Sequence, residues 1–301
     1  MCRVRNFLLV LVVLFVYFER TLSVEWSCAA ASPQSSGTYD CTSDCTMTSA
    51  GVSLSGNLAI TGDASLTTIT AKTSGDRRHF YVGSGRTLTL KWLKLTGGSM
   101  PGGSGGSIYV KDTGSTFHAT SCVFFSNTAS AGGGVYNELG SSVIHDSTIA
   151  ENRASVSGGG IYHWAGNLEI TRSLIQGNEQ ISETNPAHGG GGVRLQVTAV
   201  VIIRESTFDK NRAAGSNNGH QISAYKYNGA PAVTVVNTRF IPCTGCENTA
   251  TNIYLYDGNA AHNSGAAAYR TLSRKTCSSD PCTVSPFTGV CADRTDDANH
   301  G

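Results

Sequence analysis

A two-part motif recurs along the chain, and its spacing limits what the chain can fold into. The first part is an aliphatic residue after a run of small residues, at these positions: Ile108, Val135, Ile161, Val193, Ile222 and Ile253. The second part has the form Ser/Cys-x-Ile/Phe-x-x-Asn and occupies residues 122–127, 147–152, 173–178 and 206–211. The first part repeats every 26 to 32 residues. Such a period is typical of solenoids, in which each unit packs only on its neighbours.

Short runs of alternating apolar residues lie inside each repeat, as in VIHDSTI (143–149), LEITRSLI (168–175) and VIIRESTF (201–208). Alternation with a period of two predicts strands with one buried face. The repeats therefore indicate an all-β chain that forms a single right-handed parallel β-helix over residues 51–264. Each coil should contribute about three strands and stack on the next coil at about 4.8 Å.

The glycines and asparagines of the motif have predictable places in such a stack. Glycines suit the corners, where a side chain would be too bulky and positive φ is often required. Asparagine tolerates left-handed backbone and can hydrogen-bond along a column of its own kind. We therefore predict a buried asparagine ladder with these members: Asn127, Asn152, Asn178 and Asn211.

The first 23 residues have the pattern of a secretory signal peptide. Two arginines precede the apolar run FLLVLVVLFVYF (7–18), and small residues follow it. The run is shorter than the roughly 20 residues that cross a bilayer, although a signal anchor is the alternative interpretation. We expect a secreted or cell-surface protein with no membrane span after signal removal. A net charge of +1 gives no reason to expect a nucleic-acid partner.

Ten cysteines agree with an oxidising compartment. Residues 24–50 predict a cysteine-containing N-terminal cap, and residues 265–301 predict a cysteine-rich tail whose spacing is similar to the first half of an EGF-like module. Cys122 occupies the serine position of its repeat and should be a small buried side chain. The disulfide candidates are Cys28, Cys41, Cys45, Cys243, Cys246, Cys277, Cys282 and Cys291.

The paired motifs resemble the repeat of chlamydial polymorphic membrane proteins and related β-helix adhesins. FFSN (124–127) and FDKN (208–211) match the Phe-x-x-Asn half of that repeat, while GGSI, GGGV and GGGI are similar to its Gly-Gly-Ala-aliphatic half. The resemblance covers about residues 51–264. It implies a pectin-lyase-like β-helix and an adhesive role.

Parallel β-helices also include polysaccharide lyases and hydrolases, whose chemistry needs converging carboxylates or an acidic calcium site. Here, acid and base alternate from coil to coil at two positions, which favours structural ion pairs. His220 falls at a corner position of its repeat and lacks the paired aspartates that accompany a catalytic histidine. We therefore expect no catalytic residue, no metal site and no cofactor.

One position after the aliphatic marker is rich in tyrosine. If the aliphatic residue points inward, this neighbour points outward, so the sequence predicts an exposed stripe. Aromatic stacking between coils is one interpretation, and a strip that binds a sugar or a protein is the other. The stripe and its continuation contain Tyr109, Tyr136, Tyr162, Arg194 and Tyr254.

Taken with the adhesin resemblance, these patterns predict a non-catalytic extracellular protein with an adhesive or structural role that binds a glycan or a surface protein. A carbohydrate-active β-helix enzyme is the first alternative. The second alternative is that the chain is part of a larger surface protein.

Overall fold

A computed structural model describes residues 24–181, 189–196, 199–214, 220–226, 232–241, 253–257 and 282–283. These residues form thirty β-strands and no helix. Every strand pairing is parallel except one, between the last two strands of the largest sheet. The structure therefore confirms an all-β parallel solenoid. The proposed signal peptide (1–23), Cys243, Cys246, Cys277 and Cys291 lie outside the described residues.

Four sheets run along the solenoid. Sheet A contains, in spatial order, β1 (Gly37–Cys41), β4 (Leu58–Gly62), β7 (Thr87–Lys91), β11 (Thr116–Thr120), β15 (Ser141–His145), β19 (Asn167–Thr171), β23 (Val200–Arg204), β27 (Ala232–Val236) and β30 (Cys282–Thr283). Sheet B contains β2 (Cys45–Thr46), β5 (Thr67–Thr70), β8 (Leu93–Thr96), β12 (Val123–Phe125), β16 (Thr148–Ala150), β20 (Leu174–Gln176), β24 (Thr207–Asp209) and β28 (Arg239–Ile241).

The other two sheets complete each coil. Sheet C contains β3 (Val52–Ser53), β6 (Phe80–Val82), β10 (Ile108–Val110), β14 (Val135–Asn137), β18 (Ile161–His163), β22 (Val193–Gln196), β26 (Ile222–Lys226) and β29 (Ile253–Asp257). Sheet D contains β9 (Ser99–Ser104), β13 (Thr128–Ala131), β17 (Arg153–Ser157), β21 (Glu179–Gln180) and β25 (Arg212–Ala213). The chain passes through the sheets in the order A, B, D, C, so the central coils have four strands where the sequence indicates about three.

From β7 onward, each coil turns from sheet A to sheet B on one residue with left-handed backbone, such as Asp146 (φ 49) or Arg172 (φ 47). In three successive coils the next residue is a buried serine whose hydroxyl supports the turn. Ser173 Oγ donates to the Thr171 carbonyl at 2.9 Å and accepts the Ser147 N–H at 3.1 Å. Cys122, Ser147 and Ser206 continue these contacts, so a serine ladder follows this corner through the four coils from Cys122 to Ser206.

The corner from sheet B to sheet D contains the predicted asparagine ladder. Asn127 Nδ2 donates to Asn152 Oδ1 at 3.0 Å, Asn152 to Asn178 at 2.9 Å, and Asn178 to Asn211 at 2.8 Å. Each Oδ1 also accepts the backbone N–H of the preceding asparagine, and each Nδ2 also donates to a backbone carbonyl. The amides of Asn152 and Asn178 therefore use both donors and both acceptors.

The corner from sheet D to sheet C requires glycine, as the sequence predicts. Gly132 has φ of 61°, and a Cβ there would lie 2.4 Å from the Val135 carbonyl oxygen. At Gly133, a Cβ would lie 2.4 Å from the Gly159 oxygen of the next coil. No side chain fits between coils this close, so the glycine run is a steric requirement.

Residues 24–50, expected to form a cap outside the repeats, contain β1 and β2, which pair in parallel with β4 and β5 and so belong to the stack. Trp26 is buried, with its ring centroid 5.7 Å from that of Phe80, and its backbone N–H donates to the Asp40 carbonyl. Cys28 and Cys45 form a disulfide, which confirms two of the candidates. Cys41 is a correction, because it is a free buried thiol whose burial raises its pKa to about 11. Cys122 is free and buried, as predicted.

Candidate binding surface

The predicted tyrosine stripe follows the outer side of sheet C in strict register. Tyr81 pairs with Tyr109, Tyr109 with Tyr136, and Tyr136 with Tyr162. Their ring centroids lie 5.3, 5.0 and 5.1 Å apart in edge-to-face arrangements. Aromatic pairs favour these separations and angles. We call these four residues the tyrosine column.

The column is much less exposed than the sequence predicts, and this is a correction. Tyr136 is 9% exposed and Tyr162 is 8% exposed. Together with Ala131 and Tyr109 they form a small apolar cluster separate from the main core. A side chain that points outward from a strand is still buried when stacked rings and an adjacent strand cover it. Here Ala131, on β13 of sheet D, provides part of that cover.

The sequence motif does not identify Tyr81, which belongs to the column, or Arg78, which packs against it. Tyr81 precedes the first clear copy of the motif, although HFYV (79–82) shares an apolar-Tyr-Val pattern with GGSIYV (105–110), with Phe80 in place of the aliphatic residue. The Arg78 guanidinium lies 5.9 Å from the Tyr81 ring centroid and 5.0 Å from that of Tyr109. Burial lowers the pKa of Arg78, and the cation–π contacts stabilise its positive charge.

Two tyrosine hydroxyls have acceptors on the next coil. Tyr109 donates to Glu138 Oε2, and Tyr162 donates to Gln196 Oε1. Burial, aided for Tyr109 by Glu138, raises the pKa of both hydroxyls. Burial and the Glu138 charge raise the pKa of Tyr136 to about 12. Tyr109, Tyr136 and Tyr162 are therefore neutral at physiological pH.

The continuation of the stripe differs from the tyrosines. Arg194 is in register with Tyr162 but is 1% exposed, and its Nη1 lies 2.5 Å from Ser223 Oγ. A side chain this buried has a structural role, so Arg194 does not belong to an exposed strip. Tyr254, on β29, is in backbone register with Ser223 on β26, and the side chain of Tyr254 lies outside the described residues.

Two exposed apolar side chains follow strands of sheet C. Trp164 is 36% exposed and Leu139 is 44% exposed. Trp164 follows β18, with its ring centroid 6.2 Å from that of Tyr162, and its backbone N–H donates to the Asn137 carbonyl. The repeated motif does not identify either residue, because both follow the strands and fall outside it.

The alternating charges form the ion pairs that the sequence predicts. Arg172 contacts both carboxylate oxygens of Asp146, at 2.7 and 3.0 Å, and lowers the pKa of that carboxyl. Glu179 contacts Arg153 at 3.2 Å and Arg212 at 3.4 Å. These acidic groups are bound to neighbouring basic groups across the coils.

His220 has a structural contact of its own. Its Nδ1 accepts the Ala213 backbone N–H at 2.8 Å, and burial lowers its pKa to about 4. Among the described residues, no group of three or more His, Cys, Asp or Glu side chains could hold a metal ion. The corner histidine is thus used to hold β25 against the segment before β26.

The chain matches no family model, no curated protein and no solved structure. In the described part of the chain, no helix has the length and apolar character that crossing a bilayer requires.

Proposed function

We propose that the protein is a secreted or cell-surface β-helix protein that adheres to an extracellular glycan or surface protein and catalyses no reaction. The supporting observation is the distribution of side chains on its surface. Asp146, Glu179 and three arginines pair with one another across the coils, while Trp164 stands exposed beside Tyr162 and Leu139 stands exposed after β14. Exposed aromatic and aliphatic side chains are typical of recognition surfaces.

The repeat motif supports the same proposal. We place the chain with proteins that resemble the polymorphic membrane protein adhesins, on the basis of the paired Phe-x-x-Asn and Gly-Gly-x-aliphatic motifs. The hydrogen-bonded asparagine and serine ladders make a rigid support, and a rigid support reduces the entropy that binding would otherwise cost. Such a rod suits attachment to an extended surface.

Binding and turnover can be separated in one experiment. The full chain is applied to a glycan array and to surfaces coated with extracellular matrix proteins, in parallel with a sugar-release assay on polygalacturonate, pectate and alginate, with and without calcium. We expect attachment without release of sugar. Reproducible cleavage would support the enzyme alternative. Failure to attach to any of the surfaces would contradict adhesion.

A further inference from the structure

Two hydroxyls of the tyrosine column have acceptors at one equivalent position of the next coil, and the Tyr136 hydroxyl between them does not. That position lies two residues after the residue that is in register with the tyrosine; for Tyr81 it belongs to Lys111, which can only donate. Glu138 has this place for Tyr109, and Gln196 has it for Tyr162. For Tyr136 the place belongs to Trp164, which follows Tyr162 by two residues. Its indole N–H can only donate.

The Tyr136 hydroxyl is therefore different from its neighbours. No described residue accepts its hydrogen bond, and it is not among the buried polar atoms that lack a partner. It lies at the surface, although the ring itself is covered. The Glu138 carboxylate is close enough to raise the Tyr136 pKa, and it also accepts from Tyr109.

These three side chains provide the groups that a sugar ring needs. Trp164 offers a flat, partly exposed apolar face that can cover the C–H face of a pyranose ring. The Tyr136 hydroxyl can donate or accept, and the Glu138 carboxylate accepts only. A carboxylate at the site disfavours a second negative charge beside it.

We propose that Tyr136, Glu138 and Trp164 form a subsite for one ring of a neutral hexose polymer, an assignment that rests on the adhesive function proposed above. Trp164 packs on the apolar face of the ring, and Tyr136 and Glu138 bind its hydroxyl groups. Uronic acid polymers are excluded by the Glu138 charge.

The chain itself supplies the matched variants. Trp164→Gln copies the residue found one coil later and gives Tyr136 the acceptor that Tyr162 already has, so it should fold well and lose sugar binding. Tyr136→Phe removes the unpaired hydroxyl, and we expect affinity to fall about tenfold. Tyr162→Phe removes a hydroxyl that is already bound to Gln196, so affinity should stay within about twofold of the unmodified chain.

The measurement is titration calorimetry of the full chain with cellohexaose, N-acetylchitohexaose and hexagalacturonic acid. We expect the two neutral oligosaccharides or one of them to bind, and the acidic one not to bind. Equal losses for Tyr136→Phe and Tyr162→Phe, unchanged affinity in Trp164→Gln, or preference for the acidic oligosaccharide would each overturn the subsite. If no neutral oligosaccharide binds but attachment to the array or to coated surfaces persists, the subsite is wrong and the adhesive function stands.

Discussion

The asparagine ladder and the tyrosine column follow the same coil spacing, yet they tolerate variation differently. The ladder keeps one residue type through four coils. The column changes from tyrosine to Arg194 and then Ser223. Inside the solenoid, only an amide of that length supplies two donors and two acceptors at the corner. On the outer side of sheet C, a tyrosine hydroxyl can be satisfied by glutamate, by glutamine or by solvent, and Arg194 binds Ser223, so several residue types are accepted there.

Breaking the ladder should give the largest effect. Asn152→Leu and Asn178→Leu each leave several buried groups without a partner, including the amide or carbonyl of a neighbouring asparagine. Each such group costs about 1 to 3 kcal/mol, so we expect a loss of about 4 kcal/mol or more in the free energy of unfolding. Urea denaturation measures it.

Lys210→Ser is the matched control for the ladder. Lys210 has left-handed backbone (φ 51) just before Asn211, and Ser126 has the same conformation (φ 55) just before Asn127. Serine should therefore be accepted at 210 with a change of about 0.5 kcal/mol or less. Similar midpoint shifts for Lys210→Ser and the two asparagine variants would contradict the ladder's role in stability.

Acid should reveal a second difference between inside and outside. His163 lies on the inward side of β18, and burial lowers its pKa to about 4 from an ordinary value of 6.5. Between these values the unfolded chain binds a proton that the folded chain does not, so stability is complete above pH 6.5 and decreases as pH falls towards 4. The loss for this group is about 3 kcal/mol at most.

The test compares urea midpoints at pH 7.5 and pH 4.5. His163→Leu copies Leu195, the residue in register on the next coil, and should reduce the acid-induced shift. His79 and His220 also have pKa values lowered by burial to about 4, so part of the shift should remain. An identical shift in the variant and the unmodified chain would show that His163 does not contribute.

Truncating the tyrosine column should have an intermediate effect. From the sequence alone, Tyr136→Ser would cost little stability, but the observed burial changes that expectation. Removing a ring packed against Tyr109 and Tyr162 should cost about 2 kcal/mol, while Tyr136→Phe should cost less than about 1 kcal/mol. Thermal melting of the two variants measures the difference, and equal midpoints would mean that the ring contributes no packing.

The surface ion pairs should give the smallest effect. Glu179→Gln removes the charge that contacts Arg153 and Arg212, and exposed pairs of this kind contribute about 0.5 kcal/mol. The shift in the urea midpoint should disappear in 1 M sodium chloride, where exposed charges are screened. A large shift that persists in salt would place Glu179 among the structural residues.

The sequence predicts features that repeat and misses features that depend on particular neighbours. The solenoid, the asparagine ladder and the alternating charges all follow from periodic patterns. The burial of Tyr136 depends on Ala131 in another sheet, and the free thiol of Cys41 depends on which two of three nearby cysteines meet. The repeated motif contains the serines of the serine ladder, but the sequence does not show that their hydroxyls support the left-handed corner.

The asparagine ladder also has a direction. Asn127 receives the Gly98 N–H at one end, Asn211 donates to Gln221 at the other, and all amides between them point the same way. If the 26-residue repeat from Asn152 to Asn178 were duplicated or deleted, the asparagine before the junction would still donate to the asparagine after it. A lineage that carries this gene can therefore change the length of the rod in whole coils, by a single recombination event, without leaving any remaining asparagine of the ladder unpaired.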